Sequence, residues 1–326
     1  MKTCYWITWE DHRRSRELAK VLNANYVAFH HPGSRYIRYP ILSLKTIFFL
    51  FRSRASIVYC QNPSIVLTTI VCFLKLFLRY KVIVDRHSNF KFQLKDSNKW
   101  KWKIFHLLSR YTIREADLTI VTNDYLKDYV DSQDGRGFIL PDKLPTLSSA
   151  SIKPLNGEFN FVFISTFSDD EPIEEVIGAM DKLDNSFHLY ITGRFSAYKN
   201  VDALLKKLPA NVTLTGFLSE SDYQSLLVSA DTLIIITDQE YTLTCGAYEA
   251  VTLEKPMILG DTNTIKNYFC KGAIYTKPLK EEIAVKMLET IQMADKMRVE
   301  VGELKNLLAQ DWQRRYKDLQ VYVRAL

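Results

Sequence analysis

Cysteine, glycine and proline are scarce in this chain, and each scarcity removes a class of protein. The five cysteines (Cys4, Cys60, Cys72, Cys245, Cys270) are odd in number and never at Cys-x-x-Cys spacing. That argues against a disulfide framework or a zinc knuckle and predicts reduced thiols in a cytosolic compartment. Eleven glycines and ten prolines are too few for a propeller or a repeat array, and no fixed-period self-similarity is present. The longest apolar run, Ile65–Leu74, stops at Lys75, about half of the roughly 20 residues that a bilayer-spanning helix needs. Gly-x-Gly-x-x-Gly, Walker and Gly-x-Ser-x-Gly elements are missing, which argues against dinucleotide oxidoreductases, P-loop NTPases and serine hydrolases. His30 and His31 have no carboxylate at ligand spacing, so no metal site is expected. The charged cluster Glu10–Arg16 follows Met1 so closely that no secretory leader is expected.

What is there is an ordinary globular balance, 47% hydrophobic and 25% charged over 326 residues, a length that predicts two domains. The net charge of +6 is unevenly spread. Residues 1–150 carry 24 Lys and Arg against 12 Asp and Glu, a net of +12; residues 151–326 carry 19 against 25, a net of −6. A basic half suggests an anionic partner. Two stretches interleave apolar or aromatic residues with cations. Between 36 and 54, Ile41, Leu44, Phe48 and Phe51 alternate with Arg38, Lys45, Arg52 and Arg54; between 91 and 105, Phe92, Trp100, Trp102 and Phe105 alternate with Lys91, Lys95, Lys99, Lys101 and Lys103. Such interleaving suits an anionic membrane surface, and it equally suits amphipathic core helices with solvated basic faces. No nucleic-acid-binding signature accompanies the charge, so nucleic acid is not an expected partner.

Short β-rich runs, each followed by a helical pattern, predict parallel βα units with helices on both faces. Strands are expected at Thr3–Thr8, Tyr26–Phe29, Ser56–Cys60, Lys81–Asp85, Leu118–Val121 and Gly137–Leu140. The stretch Pro141–Asn160 breaks the pattern as a linker, and alternation restarts at Asn160–Ser165. Two long helical patterns, 280–309 and 311–323, close the chain. The fold expected is α/β: two doubly wound, Rossmann-like parallel-sheet domains, 1–150 and 151–308, facing a cleft, followed by a terminal helix, 309–326, returning to the first.

The strongest motif is Thr237–Ala250, where a strand gives way to a polar loop and a helix begins near Thr244. N–H groups at such a start, with the hydroxyls of Thr242 and Thr244, suit a diphosphate, and Gly246 lets a ligand approach the backbone. Glu249, one turn on, can take both hydroxyls of a ribose, while Asp238 and Glu240 would face the cleft. An ordinary capped helix with solvated acids gives the same pattern. In the first half, Glu10–Ser15 joins the first strand to the first helix, so Asp11, His12, Arg13 and Arg14 fall at the ligand crevice, where the basic groups can receive a phosphate or remain helix-surface charges.

These elements together resemble glycosyltransferases of the GT-B fold, and among them glycosyltransferase family 4. The likeness rests on Gly216-Phe217-Leu218, Ala230-Asp231, Glu240 through Glu249-Ala250, and Lys255-Pro256. It implies that Gly216 and Phe217 lie near the nucleotide base, that Glu249 holds the ribose and that Glu240 lies by the donor sugar. The family separates its two glutamates by seven residues; here eight intervene, Tyr241–Tyr248. Either the loop bulges, or Asp238 or Gln239 faces the sugar instead. A second departure is the acidic turn Ser165–Pro172, which lacks the family's Arg and Lys for the diphosphate, leaving Arg194 and Lys199 as substitutes. Gln61-Asn62-Pro63-Ser64-Ile65 and Asp85-Arg86-His87 resemble loops of mannosyltransferases acting on lipid-linked glycans. That resemblance makes Asn62, Asp85 and His87 candidate acceptor contacts, with Asp85, His87 or Asp11 as general base if the anomeric centre inverts. The last helix, with Trp312, Tyr316 and Tyr322, resembles the tail that crosses back in this fold.

The implied activity is transfer of a sugar from a nucleotide diphosphate-sugar to a glycan acceptor, lipid-linked, in bacterial-type capsule, lipopolysaccharide or exopolysaccharide synthesis. The resemblance implies no cofactor, no metal and retention of configuration; the cysteine pattern and the basic, aromatic first domain suggest a cytoplasmic protein peripheral to the inner membrane face. Two other functions share the fold: a nucleotide-sugar 2-epimerase and a non-catalytic scaffold.

Overall fold

A computed structural model describes residues 3–326 except 63, 88–89, 148–150 and 200. The described chain separates into two compact units, Met1–Asp142 with Trp312–Leu326, and Lys143–Asp311. Pro63 of the first-domain loop and residues 148–150 of the expected linker lie outside the described residues.

The first unit is one parallel sheet of β1 (Cys4–Thr8), β2 (Asn25–Ala28), β3 (Ile57–Gln61), β4 (Lys81–Asp85), β5 (Leu118–Val121) and β6 (Gly137–Ile139), in the order β2-β1-β3-β4-β5-β6. Its central strands are short and apolar because both faces are covered; every residue of β3 is buried. The helices of this unit are α1 (Arg13–Val21), α2 (Arg35–Ser53), α3 (Ile65–Leu78), α4 (Trp100–Glu115) and α5 (Asp124–Ser132). One face of the sheet, with Ile7, Val58, Cys60, Val82 and Val84, packs under Leu42 and Leu50 of α2 and Leu67, Val71 and Leu74 of α3. The other, with Trp6, Ile57, Tyr59 and Ile83, packs under Leu18 of α1 and under Trp312, Leu319 and Val323 near the C-terminus. Local chemistry sets the helix starts: Ser64 accepts from Leu67 N before α3, and Asn123 from Leu126 N before α5.

The second unit repeats the plan with β7 (Phe159–Phe163), β8 (Phe187–Thr192), β9 (Val212–Gly216), β10 (Thr232–Ile235), β11 (Met257–Gly260) and β12 (Ala273–Thr276), ordered β12-β11-β10-β7-β8-β9 and parallel throughout. Its helices are α6 (Ile173–Ala179), α7 (Val201–Lys206), α8 (Glu220–Ser229), α9 (Cys245–Thr252), α10 (Asn263–Tyr268) and, as far as Asp311, α11 (Lys280–Ala325), whose remainder belongs to the first unit. One element differs from expectation. The two closing helices are one helix of 46 residues, because neither glycine nor proline stands between 303 and 325 to end a turn. Pro172 precedes α6 as its cap residue.

None of the five cysteines forms a disulfide: Cys60 and Cys72 are buried in the first unit, Cys245 and Cys270 exposed in the second, and Cys4 is half-buried. Burial raises both buried thiols, Cys72 to about 12.

Candidate functional site

In each unit the strand order reverses beside the first strand, between β1 and β3 and between β7 and β10. Doubly wound sheets take ligands at the carboxyl ends of such neighbours. In the second unit that place is flanked by the turns 164–172 and 236–244 and by the start of α9. Thr244 caps α9 by position only. Its hydroxyl is buried and has no hydrogen-bond partner among the described residues. A Cβ on Gly246 would stand 3.0 Å from Ile164 Cδ1 and from Ile235 Cγ1, so the glycine lets this helix start pack closely on the end of β10 and the residue after β7. One turn on, Glu249 accepts a 2.6 Å hydrogen bond from the Tyr223 hydroxyl, whose pKa is raised far above that of an ordinary phenol by burial and then by the Glu249 charge. The hydroxyl of Thr242 donates to Gln239 Oε1 at 3.5 Å.

The two loop acids part company. Asp238 is exposed, whereas Glu240 accepts from Asn263 N (3.2 Å) and Thr264 N (2.9 Å), the unpaired donors at the start of α10. Glu240 is thus held against α10, while Asp238 is open to solvent.

The turn after β7 is organised around another carboxylate. Glu171 accepts from the backbone N–H of Thr166 (2.9 Å) and Ser168 (3.1 Å) and from the hydroxyls of Ser165 (2.8 Å) and Thr166 (3.1 Å). This is a ring of donors of the kind that cradles a phosphate, filled by the chain's own anion. Asp170 ties the turn to the end of β10 by accepting from Thr237 Oγ1 at 2.8 Å. Lys199, expected to compensate a diphosphate, instead pairs with Asp169 at 3.0 Å on the surface. Arg194 lies with its guanidinium 5.6 Å from the ring centre of Phe217, which is 78% exposed. The positive φ of Gly216, 71°, turns the chain out of β9 and presents that ring.

In the first unit the corresponding place is closed on itself. Asp85, at the end of β4 and 1% exposed, takes Nε and Nη2 of Arg14 at 3.0 to 3.2 Å. Arg14 also donates to Asp142 (2.7 Å) and to the Leu140 carbonyl (2.9 Å). Burial alone would raise the Asp85 pKa; the Arg14 charge and the hydrogen bonds from His87 and Arg14 hold it well below the usual carboxylate range. Two sequence-based roles change accordingly. Arg14 is not a phosphate-receiving surface cation, and Asp85 is not an accessible acceptor contact, because each is buried against the other. His87 Nδ1 lies 3.2 Å from Asp85 Oδ2, and its ring stacks on His12 at 5.3 Å. Burial and then the neighbouring His87 lower the His12 pKa, which favours the neutral ring at pH 7. Asp11 is engaged by Arg16 and by the Tyr26 hydroxyl (2.8 Å). Asn62 is buried, with Oδ1 3.4 Å from Thr68 Oγ1 and Nδ2 unpartnered among the described residues. The side chain of Arg13 lies outside the described residues.

Sequence reasoning missed Tyr223 and the role of Glu171. Tyr223 lies 26 residues before Glu249, with no local spacing to link them. The acidity of the β7 turn was legible, but not that one of its acids would turn inward onto backbone donors.

Among the described residues no group of three His, Cys, Asp or Glu side chains is arranged to hold a metal ion, and no helix is long and apolar enough to cross a membrane. Residues 148–304 match the family of glycosyl transferases group 1. No curated protein matches the chain in sequence. Among solved structures, sucrose-phosphate synthase from Thermosynechococcus elongatus aligns with a TM-score of 0.77 at 12% identity, over 100% of this chain and 99% of its own. Anabaena Alr3699/HepE in complex with UDP aligns with a TM-score of 0.73 at 11% identity, over 100% of both chains. A Listeria monocytogenes protein described as a UDP-N-acetylglucosamine 2-epimerase reaches 0.65 at 11% identity, over 94% of each. The two parallel six-stranded sheets with interleaved helices are the GT-B architecture.

Proposed function

We propose that this chain is a glycosyltransferase, similar to family 4, that moves a sugar from a nucleoside diphosphate donor to a glycan on a lipid carrier. One observation carries the donor half: an unpartnered, buried hydroxyl, Thr244, at the start of α9, with Glu249 one turn away and oriented by Tyr223. A helix start that offers N–H groups and a hydroxyl stabilises the negative charge that grows on the leaving diphosphate as the sugar–phosphate bond breaks. Glu249 suits the two ribose hydroxyls, and Gly216 and Phe217 suit the base. Arg194 supplies the nearby cation. The HepE structures, described as complexes with UDP and with UDP-glucose, support a uridine nucleotide as the first donor to try.

The reaction in this reading needs no metal and keeps the anomeric configuration: the acceptor hydroxyl attacks from the side the diphosphate leaves, and its proton passes to the departing phosphate oxygen. Asp238 is then the loop carboxylate at the donor sugar. A second reading, inversion, is favoured by the Asp85–His87 hydrogen bond. There His87 takes the acceptor proton while Asp85 orients the ring, and His12 contacts the acceptor; Asn62, fully buried, is not an accessible contact. The place of work is the cytoplasmic face of the inner membrane, in surface polysaccharide assembly.

The test is calorimetric titration with UDP and UDP-glucose, followed by NMR of the product's anomeric proton. Micromolar to millimolar UDP binding, weakened in Glu249→Ala, is expected. Absence of binding by UDP, GDP, ADP and CMP in folded protein would sink the transferase in favour of a scaffold. An epimer formed from the donor alone would replace transfer with epimerisation.

A further inference from the structure

The helices α2, α3 and α4 form one layer on one side of the first unit's sheet, with α3 packed against α2 and against α4. The outward side of this layer is apolar at helical spacing. On α2, Ile37, Leu44, Phe48 and Phe51 are 56–68% exposed; on α3, Phe73, Leu76 and Phe77 are 52–64%; on α4, Trp100, Ile104 and Leu107 are 46–74%. Side chains at i, i+3, i+4 and i+7 share a helix face, so each helix turns one apolar stripe to solvent. A soluble surface rarely leaves ten large apolar side chains uncovered on adjoining helices.

The charges on the same layer have one sign. Neither α2 nor α3 contains Asp or Glu, and the only acid of α4 is Glu115, its last residue. Against these stand Arg35, Arg38, Lys45 and Arg52 on α2 and Lys101, Lys103 and Arg110 on α4. Lys75 does not add to the set, since it is turned to the Glu115 carbonyl and to Asp117. Several cations lie against rings of their own helix: Arg52 over Phe48 at 5.4 Å and Lys101 over Trp102 at 4.9 Å. Rings carried beside long basic side chains place aromatic bodies at the depth of lipid headgroups and ammonium or guanidinium groups at the phosphates. An open groove of about 470 Å³, with Phe29, Phe48 and Phe49 as its apolar wall and Lys45 and Arg52 beside them, repeats this pairing.

We infer that the α2–α3–α4 face is a membrane-docking surface whose partner is an anionic phospholipid bilayer, with Phe48, Phe77 and Trp100 entering the headgroup–acyl boundary. Charge complementarity selects this occupant: a second copy of the face would oppose cation to cation with no acid between them. The inference rests on the membrane placement in the proposed function, and it names the elements that make the contact.

Vesicle co-sedimentation tests it, with phosphatidylcholine alone and with phosphatidylcholine mixed with phosphatidylglycerol. The expected result is binding to the anionic vesicles only, together with a blue shift of tryptophan emission that is lost in Trp100→Phe. Lys101→Glu with Lys103→Glu should weaken binding about thirtyfold or more, given the contribution of each basic group near an anionic surface. Phe48→Ser with Phe77→Ser and Trp100→Ser should leave only binding that salt abolishes, and since all three are exposed, the melting temperature should hold. Wild type that ignores anionic vesicles, binds both compositions equally, or binds no better than these variants would overturn the inference. So would a wild-type dimer that the triple variant makes monomeric without any vesicle binding, which would make the occupant a second copy. UDP titration of the same variants keeps the two readings apart: lost vesicle binding with intact UDP affinity concerns the face alone, and absent UDP affinity concerns the transferase alone.

Discussion

The two units share a topology and treat the same place in it differently. At the strand-order reversal of the first unit, ionised groups are buried and satisfy one another: Arg14 with Asp85 and Asp142, Asp85 with His87. At the reversal of the second, polar groups end in solvent or without a partner: Asp238 is exposed, Arg194 rests on an exposed ring, and the Thr244 hydroxyl is buried and unpaired among the described residues. A buried ion pair fixes geometry at a cost in desolvation, and an unpaired buried hydroxyl is a cost that a ligand relieves. The first arrangement positions an imidazole; the second leaves a buried hydroxyl unpaired, which the proposed function fills with an anion. Glu171 marks the boundary between the two styles, since it closes the β7 turn with the kind of contact a phosphate would make.

Breaking the first arrangement should have the largest effect. Arg14→Met strands Asp85 in the core and should destabilise the first unit by about 3–5 kcal/mol, read as an earlier urea transition with the second unit's transition in place. Next is ligand binding at the second: Glu249→Ala should weaken UDP by about 1–3 kcal/mol, and Tyr223→Phe, which removes one hydrogen bond to it, by about 1 kcal/mol. Smaller and opposite in sign is Glu171→Gln. It removes the resident charge from the cradle while keeping its shape, so UDP affinity should rise severalfold by titration; a fall would mean that the carboxylate helps to hold the donor. The pH dependence sharpens the contrast. Because the folded Asp85 pKa is depressed, its stabilisation is complete above the unfolded value of 3.8 and is lost as pH falls through the folded value. The His12 pKa is depressed too, so the unfolded chain takes up its proton first and stability declines modestly as pH drops below 6.5. Acid melts of wild type and Asp85→Asn should differ below about pH 4 and coincide above pH 5 once offset by the neutral-pH difference.

Strands and their order of appearance were legible because parallel strands covered on both faces read as apolar runs: Lys81–Asp85 and Leu118–Val121 match their sequence patterns to the residue. The closing helix was not, because a weakly amphipathic stretch over 309–311 looks like a break when its neighbours in space are unknown. At the site, the start of α9 at Cys245 with Gly246 and Glu249 was readable from local spacing. What Asp85, Arg14 and Glu240 do was not. Each is decided by a partner far along the chain: Arg14 meets Asp85 71 residues away, and Glu240 meets Thr264 24 residues away. A charge in a loop motif reads as an offer to ligand until the competing partner is known.

The thiols divide between the units in a way that makes the molecule its own stopwatch. A neutral-pH thiol reagent should take Cys245 and Cys270 at once, since both are exposed. Half-buried Cys4 should follow. Cys60 on β3 and Cys72 on the inner face of α3, both buried with thiols that stay protonated, should react only when the first unit opens. The slow phase of labelling therefore clocks the opening of one unit while the other carries the fast phase, with no probe added by mutation.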